Sequence, residues 1–260
     1  MTDTGTVTII PTRLPLVPLP PDARPWQRRA STQILGSLGL LLPMAAVALW
    51  VHAGQSGGPN LRWMFLGPMV GGGTLIFWIL FLHLIVCGDT LDVLGFRRDR
   101  LRLDALFGVG LAAVMLAFHF AFAATAARLF PPRPPVPGVL ELISGVARDP
   151  WLLALWFGPV VWIGVALFEE LARAFLLRRL WQVWPGAASQ WGVIGIVSAL
   201  TGLVHAYQGS AAVVSIGIQS VLLGWVYLRT GRIRALIVGH ALYDSVQIAL
   251  AVVMIRRMGM

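Results

Sequence analysis

The chain contains no lysine: all 20 of its basic residues are arginine. It has one cysteine, Cys87, and only 12% of its 260 residues are charged. Each shortage excludes something. A single cysteine rules out an internal disulfide and a cysteine-built metal cluster, and leaves Cys87 a packing role. A soluble domain carries about 25% charged residues. A chain at 12% charged and 57% hydrophobic, with mean hydropathy +0.78, is therefore a membrane protein by composition. No HExxH segment occurs, so the common helical zinc-protease signature is missing. The net charge of +9 does not point to nucleic acid, because the arginines flank apolar runs. There they set topology and meet lipid headgroups, so membrane lipids are the expected contacts.

What the chain has in abundance is apolar sequence. Runs at 33–53, 63–87, 106–130, 151–177, 191–207, 211–228 and 233–255 each approach or exceed the length needed to span a bilayer, about 20 residues. They predict an all-α, polytopic membrane helix bundle of seven spans, or eight if the long fourth run hides a break. Residues 1–30 are rich in proline and arginine; Pro15, Pro18, Pro20 and Pro21 keep this segment from forming a helix, and a mobile tail is expected. It lacks the short apolar core and small-residue cleavage site of a signal peptide. Residues 31–89 hold the first two spans, and 131–150 read as a Pro-rich connection. With the tail inside, the inner segments carry 13 arginines (13, 24, 28, 29, 97, 98, 100, 102, 178, 179, 229, 232, 234) and the outer ones 6 (62, 128, 133, 148, 256, 257). That excess predicts a cytoplasmic N-terminus and a C-terminus on the other face.

Acidic residues are nearly absent from the runs: Glu169, Glu170 and Asp244 are the exceptions, and His205 and His240 lie in the same half of the chain. A charge at bilayer depth costs about 2.5–3.5 kcal/mol on insertion scales, so such groups face a protein interior or a wet cavity. His240 and Asp244 are four apart, as are Glu169 and Arg173, while Glu170 and Arg173 are three apart; each pair shares a helix face. Arg173 can neutralise one carboxylate and leave the other as a proton acceptor, without the spacing saying which. Two His, a Glu and an Asp suit a divalent metal such as zinc, or can position a water directly. The same residues would equally serve a proton relay, or be satisfied in pairs across helices. His83 and His119 have no acidic companion and read as packing or interhelical hydrogen-bond residues. Depth is only partly consistent. Glu170 and His205 lie ~22 and ~28 Å above a turn near 185–186, whereas His240 lies ~13 Å above the turn at 231–232, at 1.5 Å per residue.

These residues resemble the CPBP intramembrane proteases, the superfamily of type II CAAX prenyl endopeptidases and bacteriocin self-immunity proteins. The resemblance rests on Glu169-Glu170-Leu171-Ala172-Arg173, on Thr201-Gly202-Leu203-Val204-His205 and on His240-Ala241-Leu242-Tyr243-Asp244. Gly224, Tyr227 and Thr230-Gly231 ahead of His240, and the loop Leu94-Gly95-Phe96-Arg97-Arg98, belong to the same pattern, which covers about residues 90–250. Two departures stand out. Two residues rather than three separate the second Glu from Arg173, and Thr201 stands where the family has Phe. The resemblance implies that residues 90–257 form a catalytic membrane domain of an endopeptidase. By family order Glu169 would be the base, with Glu170 the other candidate. His205 and His240, with Glu169, would bind a metal such as zinc or stabilise the oxyanion. Asp244 would orient His240 or a ligand, and Arg173 would give structural support. The substrate would be a membrane-associated peptide or protein reached from the lipid or the cytoplasmic side, and the location a bacterial cytoplasmic membrane. The alternative it leaves is a non-catalytic immunity or scaffold protein with a relic site.

Overall fold

The computed structural model describes residues 30–54, 65–96, 99–130 and 139–259, so the expected tail, apart from Ala30, lies outside the described residues. Among the described residues there are helices and turns and no strand. In chain order they are α1 (Ala30–Gly54), α2 (Gly67–Val86), α3 (Leu101–Leu129), α4 (Val139–Arg148), α5 (Pro150–Val183), α6 (Ala187–Val204), α7 (Ser210–Thr230) and α8 (Ile233–Arg257). All but α4 are long and apolar enough to cross a membrane, which makes seven spans among the described residues. The chain is an integral membrane protein with an all-α polytopic fold. Helices are the form such runs must take, because lipid offers no partner to an unpaired backbone N–H or C=O.

The fourth run does contain a break, yet remains one span. Gly158 leaves helical geometry (φ −94°, ψ −109°), Pro159 lacks an N–H, and the backbone continues as a π-helix over Trp156–Leu167 before regular α-helix resumes at Phe168. π-Segments are rare and frequent at functional sites. α2 also starts as a π-helix, Gly67–Gly72, and the two segments cross backbone to backbone. A Cβ on Gly72 would lie 2.5 Å from the Gly164 carbonyl oxygen, and one on Gly164 would lie 2.7 Å from that of Pro68. Only glycine permits this approach.

The Pro-rich connection is not a plain linker. It holds α4, whose Val146 and Ala147 are buried; Ala147 packs against Val252 and Ile255 of α8. Arg256 Nη2 donates to the Ala147 carbonyl at 2.9 Å, satisfying an orphan acceptor of the last turn.

α5 is the centre of the bundle. α1 and α2 pack on it, while α8 lies along α3 and α6 along α7. Every residue from Glu170 to Arg179 is buried. One end of the bundle is locked by polar side chains. Arg179 pairs with Asp89 and donates to Gln33 in the first turns of α1. Tyr227 accepts from Arg178 Nε at 3.3 Å and donates to the Leu94 carbonyl at 3.2 Å. His83 Nε2 is 2.8 Å from the Thr90 carbonyl, an acceptor, so the ring donates there. Gly95 (φ +94°) presses on the α7–α8 turn so closely that a Cβ would meet the Gly231 oxygen at 2.0 Å. Arg232 pairs with Asp104 at the start of α3. The loops and helix ends here also carry Arg100, Arg102, Arg229 and Arg234, so this is the arginine end.

Candidate functional site

Where α5 returns to regular helix, Glu169 and Glu170 occupy its first turn. Adjacent helical residues diverge by roughly 100°, and the two carboxylates meet different surroundings. Glu170 is fully buried; it pairs with Arg173 one turn on, and its Oε1 lies 2.7 Å from His240 Nδ1. Arg173 in turn donates through Nε to Ser220 Oγ of α7 at 3.3 Å. The spacing of two residues between Glu170 and Arg173 therefore keeps them in contact at i, i+3. Glu169 is 22% exposed, and its Oε1 is 3.8 Å from His205 Nε2.

His205 follows the last turn of α6, outside helical geometry (φ −93°, ψ 12°). Its Nδ1 lies 2.8 Å from the Thr201 carbonyl, which can only accept, so Nδ1 carries the proton and Nε2 is the nitrogen turned to Glu169. The Thr201 hydroxyl bonds back to Val197 O at 2.9 Å. The departure from Phe at this position thus leaves His205 held by the backbone of residue 201, not by its side chain. His240, in the first third of α8, stands between two carboxylates: Nδ1 faces Glu170, and Nε2 is 3.5 Å from Asp244 Oδ2.

A cavity of about 820 Å³ collects these groups. Glu169, Arg173, His205, His240 and Asp244 all line it, and Glu170 sits behind its wall. Neutral polar residues that the sequence reading passed over line it too. Gln219 Nε2 donates to Tyr243 Oη at 3.0 Å, and that hydroxyl is 3.1 Å from His119 Nδ1, which ties α7, α8 and α3 together. His119 is thus an interhelical hydrogen-bond residue, as read, but one that also faces the cavity. The signal for Gln219 was available: an amide inside an apolar run needs a partner as a charge does. Leu75, Met115, Phe122, Trp156 and Phe168 form an apolar part of the lining.

The donor atoms do not add up to a three-ligand metal centre as they stand. Among the described residues no three His, Cys, Asp or Glu side chains are grouped to hold one ion. Of the expected ligands His205, His240 and Glu169, His240 has both ring nitrogens directed at carboxylates.

A family model described as type II CAAX prenyl endopeptidase Rce1-like matches residues 150–246. The likeness is confined to this segment. It runs from the start of α5 to just past Asp244 and contains Glu169, Glu170, Arg173, His205, His240 and Asp244; α1, α2, α3 and α4 lie outside it. At family level the match speaks for a CAAX protease-like intramembrane endopeptidase. No curated protein and no solved structure matches the chain significantly.

Proposed function

We propose that the chain is an intramembrane endopeptidase that hydrolyses a peptide bond of a membrane-associated protein or peptide, with Glu169 as its base. The observation that carries this reading is the division of work between adjacent carboxylates. Glu170 is taken up by Arg173 and His240, while Glu169 faces the cavity beside His205.

A separation of 3.8 Å between Glu169 Oε1 and His205 Nε2 suits one water donating to both. Its lone pair is then available to a peptide carbonyl carbon. Glu169 takes the proton as the C–O bond forms. His240, protonated on both nitrogens and held by Glu170 through Nδ1, turns its Nε2–H from Asp244 to the developing oxyanion. As the C–N bond breaks, Glu169 passes its proton to the departing amine. Arg173 holds Glu170, and through it the His240 ring.

No step is routed through a metal. The ligand role that the resemblance gives His205, His240 and Glu169 would require His240 to turn from one of its carboxylates. Dialysis against EDTA separates the two chemistries. Retained turnover supports the side-chain mechanism, and loss restored by zinc supports a metal centre.

The experiment is cleavage of internally quenched peptides, with and without a C-terminal isoprenyl group, by purified protein in nanodiscs. The wild type cleaves at least one set, and Glu169→Gln lowers turnover by ~10²–10⁴, the usual contribution of a general base. A wild type that binds these peptides without cleaving them would favour the relic-site alternative and remove the peptidase reading.

A further inference from the structure

The cavity is not spread along the bundle; it occupies one half. Its lining on α3 comes from Met115 to Ala126, on α5 from Trp156 to Arg173, and on α7 from Ala211 to Leu223. These are the halves of three helices that lie away from the arginine end. The lining also reaches Gln208, an exposed residue of the α6–α7 connection. Toward the arginine end the interior is closed. Phe175, Leu177, Trp181 and Tyr227 are buried there, together with the Arg179–Asp89 pair. The cavity therefore has a floor at the arginine end and its mouth at the other.

The charge pattern says which face of the membrane each end meets. Arg100, Arg102, Arg229, Arg232 and Arg234 sit in or beside the α2–α3 and α7–α8 connections, and Gln33 at the start of α1 is bonded to the same end. An excess of Arg in short loops marks the cytoplasmic face. We infer that the cavity opens on the opposite, non-cytoplasmic face and admits water, and the peptide it acts on, from there.

Part of the wall suits water. Ser215, Gln219 and Gln247 face the cavity from within membrane-crossing helices, where polar side chains otherwise lack partners. Gln219 Oε1 is buried and unpartnered within the protein. A volume of about 820 Å³ has room for roughly two dozen waters at ~30 Å³ each. This direction differs from the approach by the lipid or the cytoplasmic side that the resemblance implies. The direction of opening does not depend on the peptidase reading; the delivery of peptide rests on it.

Cysteine accessibility tests the opening whether or not the chain cleaves anything. Cys87 is buried, so it serves as an internal reference for folding. Single variants Ala212→Cys and Ser215→Cys on the cavity wall, Arg100→Cys at the arginine end and Ile218→Cys on the exposed face of α7 are treated with a membrane-impermeant cationic methanethiosulfonate. Right-side-out cells and inverted vesicles are compared. Ala212→Cys and Ser215→Cys react in right-side-out cells, at least ~10-fold faster than Ile218→Cys, because a charged reagent does not enter hydrocarbon. Arg100→Cys reacts only in inverted vesicles. Cavity cysteines that react from the same face as Arg100→Cys would overturn the direction of the mouth. Reaction no faster than that of Ile218→Cys would overturn a wet cavity, and labelling of Arg100→Cys in right-side-out cells would overturn the assignment of faces. None of these results alters the turnover comparison of wild type with Glu169→Gln.

Discussion

Glu169 and Glu170 are chemically identical and adjacent, and what separates them is the company each keeps. From spacing alone Arg173 was within reach of both, at four residues and at three. The choice was made by His240, 70 positions away, whose ring closes on Glu170. No local pattern carries that information. Replacing Glu170 by Gln leaves the buried Arg173 without its counter-charge, a loss of about 3–5 kcal/mol for a broken buried pair. A large drop in melting temperature in detergent is the expected outcome, and an unchanged melting curve would contradict the pairing. Cys87 gives a second check at this scale. It is fully buried, and burial pushes its thiol up from the ordinary value, against the pull of Arg179. Maleimide therefore leaves it unmodified in the native protein and labels it after denaturation, as intact mass will record; native labelling would mean that the α2–α3 loop is not packed as described.

The helices were legible because runs of this length and hydropathy have one stable form in lipid, and their bounds fall close to the apolar runs. Their internal register was not legible. An all-apolar stretch reads the same whether its backbone is α or π, so the π-helix over Trp156–Leu167 that delivers Glu169 to the cavity left only Gly158-Pro159 as a trace. α4 was hidden by the prolines ahead of it. About half of the depth mismatch is accounted for among the elements. Arg178 and Tyr227 meet side by side, and from that level the chain runs seven residues to the turn at Pro185 after α5 but only four to the turn at Gly231 after α7. The α5–α6 hairpin thus reaches ~4.5 Å further, and the contact of His240 with Glu170 shows that the two are level despite the shorter distance of His240 from a turn. The α2–α5 crossing carries the prediction proper to this scale. Gly164→Val must push the two π-segments apart, which costs about 1–3 kcal/mol as overpacking. Lower thermal stability is expected, because the crossing forms part of the cavity lining; a valine accommodated without loss would show that the contact is loose.

Taken whole, the molecule is a bundle that is sealed and cross-braced at one end and hollow at the other. The brace consists of charges held by partners from distant segments: Arg179 with Asp89 and Gln33, and Arg232 with Asp104. Asp89→Asn should therefore destabilise the fold far more than Asp92→Asn, since Asp92 is exposed; equal melting temperatures would deny the brace its role. The cavity was foreshadowed in the sequence only by the need of Glu169, His205, His240 and Asp244 for somewhere to go. Its volume and one-sidedness follow from packing that no single stretch encodes. The account turns on Glu169 being the carboxylate that acts and Glu170 the one that supports. Turnover of Glu169→Gln, measured per folded molecule beside its melting curve, tests this most directly. The predicted result is a wild-type melting temperature with turnover down by ~10²–10⁴; a Glu169→Gln protein that melts normally and still cleaves at the wild-type rate would contradict it.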